Sequence, residues 1–201
     1  MKCHRGIKVL ALAAAGFAFS ASAGAQSTTS TTDPTVGQRK ENQQDRIANG
    51  VQNGSLTPGE TTNLEGKEAK LNKETRQMRA ADDGHLTSAD KSKLNTQQNR
   101  LSNNIYQDKH NAASDHFGSG PVGQRKENQQ DRIAQGVRSG QLTAGETHNL
   151  EAKQTALNGE TRNMRNLNNG KLTAGDKKVV NAQQNRLSRN IYRDKHNGRR
   201  Q

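Results

Sequence analysis

Among its 201 residues the chain has no tryptophan, two tyrosines, three phenylalanines and one cysteine. Each scarcity excludes something. A lone Cys3 cannot build the disulfide framework on which small exported domains often rely. So few rings leave no platform on which nucleic-acid bases could stack in series. Apolar residues make up 28% and the mean hydropathy is −1.14, a thin supply for a broad core. G-x-S-x-G, H-E-x-x-H and phosphate-loop patterns do not occur. His85, His110, His116, His148 and His196 stand apart, at no metal-ligand spacing. These absences argue against hydrolase and metalloprotease chemistry, and the chain reads as non-enzymatic with no cofactor.

What the chain does have is repetition. Val36–Asn111 returns as Val122–Asn197 at a constant offset of 86 without a gap, and about two thirds of the paired positions are identical. Ahead of the first copy, Lys2, Arg5 and Lys8 precede an apolar run from Val9 to about Phe19 that ends at Ala23-Gly24-Ala25. This is the layout of a secretory signal peptide cut after Ala25, too short to span a membrane. Residues 1–25 are therefore assigned to a signal peptide and residues 26–35 to a Ser/Thr-rich linker. Residues 36–111 form helical repeat 1, 112–121 a Gly/Ser/Pro linker, 122–197 helical repeat 2, and 198–201 a basic tail. The expected location is periplasmic or secreted.

Each copy predicts three helices. The first, from Gly37 to about Gln52, carries Ile47 and Val51 on one face and ends at Asn53-Gly54. Thr57, Pro58 and Glu60 then supply a capping hydroxyl, a proline at the first helical position and the acid of a capping box. The second helix runs to about Ala81, with Leu64, Leu71 and Met78 at intervals of seven and charged residues between them. That is a narrow seam suited to one neighbouring helix. Thr87 and Asp90 repeat the cap, and the third helix follows to about Asn111 with Leu94, Leu101 and Ile105 on a stripe. In the second copy Leu150, Leu157 and Met164 continue the sevens, and Val179, Val180, Leu187 and Ile191 the last stripe. The fold class is all-α, two tandem three-helix repeats after a cleaved signal peptide.

At the helix junctions G-x-L-T-x-x-[E/D] occurs four times, at Gly54, Gly84, Gly140 and Gly170. A Gly at the sixth position, an apolar residue at the eighth and an acid at the twelfth resemble the frame of an EF-hand loop. The resemblance implies ligands at the first, third and fifth positions, where the four loops hold almost no acids. Arg79 and Arg165 occupy two of the first positions and repel a divalent ion. Only the first loop, with Asn49, Asn53 and Glu60, keeps a chemically tolerable set. The metal assignment is accordingly none, with a weakly calcium-responsive module as one alternative.

Charge is what distinguishes the copies. Counting Lys+Arg against Asp+Glu, copy one has 12 against 10 (+2) and copy two 14 against 7 (+7). The whole chain is +12, and loss of Lys2, Arg5 and Lys8 with the leader would leave +9. Asn103 and Gln107 of copy one become Arg189 and Arg193 in copy two, joining Arg186 at i, i+3 and i+7 on one helical face. Lys195, Arg199 and Arg200 follow. Basic residues so arranged suit phosphates or sulfates, and the expected activity is polyanion binding through the second repeat. Envelope lipopolysaccharide, acidic polysaccharide and nucleic acid are all candidates, because the dominant electrostatic contribution is indifferent to sequence or sugar. The structural alternative is a scaffolding protein that self-associates through its helical seams.

Overall fold

The computed structural model describes residues 35–118 and 120–200; the proposed signal peptide and residues 26–34 of the first linker lie outside the described residues. Six helices and no strand occur among the described residues: α1 (Val36–Asn53), α2 (Pro58–Ala81), α3 (Ser88–His110), α4 (Pro121–Arg138), α5 (Ala144–Leu167) and α6 (Ala174–Lys195). The chain is all-α.

Helix starts follow the local chemistry. Thr57, Thr87, Thr143 and Thr173 each sit in extended backbone and accept from the amide three residues on, while Glu60, Asp90, Glu146 and Asp176 reach back to the threonine amide. Each closed box meets two amides that a helix start would otherwise leave unmatched. α1 opens the same way with Thr35 and Gln38, whereas α4 starts at Gly120 without a side-chain cap.

The reversal between the first two helices of each copy depends on a close approach. The Leu56 amide bonds the Gly50 carbonyl at 3.0 Å, and the Leu56 side chain lies so near that a Cβ on Gly50 would come within 2.6 Å of it. Gly136 and Leu142 repeat this at 2.9 Å and 2.7 Å. Gly54 and Gly140 then turn the chain at φ 74° and 67°, a region that favours glycine.

Polar cross-links also recur at the offset of 86. Gln43 Nε2 donates to the Gln98 carbonyl at 2.7 Å and to Ser102 Oγ at 2.8 Å; Gln129 does so to Gln184 and Ser188 at 2.8 and 2.9 Å. These buried amides fix α1 on α3 and α4 on α6.

One apolar cluster joins the copies. Ile47, Leu56, Leu64, Leu94 and Ile105 share it with Ile133, Leu142, Leu150 and Ile191, all fully buried. The largest helix contact is between α2 and α5, followed by α1 with α4. α2 and α5 run antiparallel: the site of a Cβ on Gly59 lies 4.0 Å from Thr155, and that on Gly66 lies 3.1 Å from His148. Moving up one helix moves down the other. Arg138 of α4 donates to Asn49 and Gln52 of α1 at 2.7 and 2.9 Å.

This packing broadens the seam expected on α2. Leu64 and Leu71 are buried as expected, but so are Thr61, Glu65 and Glu68, which lie about 40–100° round the helix from Leu64 at 100° per residue. α2 is covered by α1 and α3 on one flank and by α5 on another, so its buried face is wider than its apolar stripe.

Candidate anion-binding face

α6 is held from two sides. Gln129 and Arg132 of α4 bond Gln184 and Ser188, with Arg132 donating to the Ser188 carbonyl at 3.2 Å, and Gln183 reaches Glu160 of α5 at 2.6 Å. Val180, Leu187 and Ile191 point into the core. Opposite them stand Arg186, Arg189 and Arg193, all exposed. Their spacing of three and seven residues sets them about 4.5 and 10 Å apart along the axis, a ladder that phosphate or sulfate groups on a polymer can follow.

The remaining basic residues divide. Arg193 keeps a side chain 67% exposed while its Nε donates to Asp194 at 3.0 Å. The tail folds back toward the start of α5: Asn197 donates to Glu146 Oε1 at 2.6 Å, and Arg199 lies 3.6 Å from the same oxygen with its side chain 75% exposed. Against its burial, bonds from Asn197 and Thr143 and the charge of Arg199 hold the Glu146 carboxyl below its ordinary range. Arg200 donates to the Arg199 carbonyl. Lys195 does not stand with these residues. It is buried against α4, its Nζ donates to Gln135 Oε1 at 3.0 Å, and burial, with Arg132 nearby, lowers its pKa. Nine residues from Arg186 is half a turn out of phase, so Lys195 lies on the opposite side of α6. Tyr192 borders the stripe, 61% exposed and stacked on His196 at 4.2 Å.

The loop oxygens singled out for a cation already hold protein donors. Asn49 Oδ1 accepts from the Arg138 guanidinium, Asn53 Oδ1 from the Ser55 amide at 3.0 Å, and the two Glu60 oxygens from Thr57 and from Asn111 Nδ2. Among the described residues no group of three or more His, Cys, Asp or Glu side chains is placed to hold a metal ion.

A second arrangement carries no sequence signature. Glu65 and Glu151, 86 apart, are both 0% exposed and near each other between α2 and α5, with Glu68 at 1% beside them. Gln44 donates to Glu65 at 3.2 Å and Gln130 to Glu151 at 3.1 Å, while Glu65 Oε1, Glu68 Oε2 and Glu151 Oε1 have no hydrogen-bond partner among the described residues. Burial raises all three carboxyls: Glu65 well above its ordinary value, Glu68 to about 7 and Glu151 to about 8. Burial makes the charged form costly, and the charges of Lys40 and Lys126 only partly offset that cost. The only clue in the sequence is that Glu65 returns unchanged as Glu151.

Comparison of the chain with protein-family models, with curated proteins and with solved structures returned no match.

Proposed function

We propose that this is an exported, non-enzymatic protein of two tandem three-helix repeats that binds polyanions through the outer face of α6. The observation that carries this reading is the exposed ladder of Arg186, Arg189 and Arg193, two rungs of which are Asn103 and Gln107 in the first copy. Arg199 and Arg200 add charge in the tail, which folds back toward the start of α5; Lys195 is left out of the ladder because its ammonium is occupied inside. The secretory leader layout supports a periplasmic or secreted location, where lipopolysaccharide and acidic polysaccharide are available polyanions. The alternative of assembly through the apolar seams draws less support, because Leu64, Leu71, Leu150 and Leu157 are already covered within the chain.

The test keeps both copies together, since they share one core. Heparin affinity of the whole chain is compared with that of Arg189→Asn/Arg193→Gln, which installs the copy-one residues at exposed positions. The double substitution should weaken binding and reduce the slope of log affinity against log salt by about two, one per lost cation. The reciprocal Asn103→Arg/Gln107→Arg change should strengthen binding. Unchanged affinity and salt slope in both variants would show the stripe to be merely solvated.

A further inference from the structure

The linker between the copies rests in a groove, and the offset of 86 builds that groove a second time. In the groove beside α5, the Asp115 amide donates to the Gly54 carbonyl at 2.8 Å and the Asp115 carboxylate pairs with Lys126. The Phe117 ring centroid lies 5.5 Å from the Lys126 ammonium, a cation–π contact. Gly54 is needed for this seat, since a Cβ there would come 2.7 Å from the Asp115 carbonyl oxygen. The linker is therefore held by two features, a turn carbonyl and a lysine in the first turns of α4, and shares the lining of the groove with Leu157 and Thr161 of α5.

Each feature has its counterpart 86 residues earlier or later. Gly140, Lys40, Leu71 and Thr75 line a groove of about 590 Å³ beside α2. Among the described residues the Gly140 carbonyl accepts no hydrogen bond, Lys40 has no ion pair and no aromatic ring lies over its ammonium. Glu68 and its counterpart beside α5, Gln154, each line their groove with a buried oxygen that has no hydrogen-bond partner among the described residues.

We propose that the groove beside α2 binds an extended segment of a partner protein that carries an aspartate followed two residues later by an aromatic residue. The aspartate amide meets the Gly140 carbonyl, its carboxylate pairs with Lys40, and the ring covers the Lys40 ammonium against Leu71. The ligand chemistry is the one the chain already uses on itself, and the site is independent of the arginine ladder on α6.

The probe is a fluorescein-labelled peptide of the linker sequence Ala112–Gly120, titrated by anisotropy against the whole chain. Saturable binding of one peptide per chain is expected. Lys40→Glu, or a peptide with Asp115→Asn or Phe117→Ala, should each lower affinity at least tenfold. Arg189→Asn/Arg193→Gln should leave it unchanged, which separates this site from the polyanion reading. The peptide variants leave the protein intact, so a folding defect in Lys40→Glu cannot mimic the result. Absence of saturation at millimolar peptide, or equal binding by the variant peptides, would overturn the proposal. Two further outcomes would overturn the partner protein as occupant. Self-association of the chain that the peptide disperses would assign the groove to the linker of a second copy. Binding that occurs only after deletion of residues 26–34 would assign it to the chain's own leader side.

Discussion

His148 Nδ1 lies 2.8 Å from the Thr62 carbonyl oxygen, and the two residues occupy the same position of the repeated sequence. A carbonyl only accepts, so Nδ1 carries the proton in this contact. Where a position meets its own counterpart, the copies are related by a local two-fold axis; Arg138 against Gln52 is a second such meeting, and Glu65 beside Glu151 a third.

A single copy therefore has a self-complementary face. Residues 35–111 expressed alone should form a homodimer, because Leu64, Glu65 and Glu68 lose the cover of α5 and regain it only from a second α2. Residues 122–200 alone should dimerise more weakly, since Arg138 would then oppose Arg138 where the intact chain sets it against Gln52. Sedimentation equilibrium of the two fragments checks both statements. Stable monomers of either would show that the inter-copy surface contributes little.

The buried acids predict a pH dependence with a definite sign. Their folded-state pKa values are raised, so the folded chain holds more protons than the unfolded chain above the ordinary value of 4.5. Their stabilising contribution is complete below that value and is lost as pH rises through about 7 for Glu68 and about 8 for Glu151. Lys40 near Glu65 and Glu68, and Lys126 near Glu151, oppose the shift; Asp115 adds to it at Glu151. Urea midpoints should fall between pH 5.5 and pH 8.5. Glu68→Gln, the residue copy two already has, should recover stability on the order of 3 kcal/mol at pH 8.5 and about 1 kcal/mol at pH 5.5. A flat profile, or equal gains at both values, would contradict neutral burial.

Gly50→Ala should destabilise by about 1–3 kcal/mol, although alanine is the better helix former by about 1 kcal/mol. The new Cβ would meet the fully buried Leu56 side chain at 2.6 Å. Gly145→Ala is the control, because nothing lies within 4 Å of a Cβ there. It should leave the thermal midpoint unchanged or raise it. Similar midpoints for both variants would remove the steric account of the reversal.

The helix starts were legible because a cap is a local event: Thr57 and Glu60 are three residues apart and need no knowledge of the rest of the chain. The inward stripe of Leu94, Leu101 and Ile105 was legible for a related reason, since its period is that of the helix itself. Glu65, Glu68 and Glu151 were not, because hydrophobic periodicity counts only apolar side chains and their cover comes from a helix 86 residues away. Lys195 stands beside the tail in sequence, although 100° per residue already sets it across the helix from Arg186. The linker's seat was hidden too: Phe117 could be seen as the single aromatic of a Gly/Ser joint, but Gly54 and Lys126 belong to different copies and meet only in the folded chain.

The acid cluster also has a parity. Two identical subunits about an axis must bury an even number of carboxyls, because every group is matched by its image. With Glu65, Glu68 and Glu151 in place and Gln154 where a fourth would stand, the cluster between α2 and α5 holds three among the described residues. Covalent linkage of the copies makes that odd count attainable, and with it a coupled titration that does not divide into symmetric pairs.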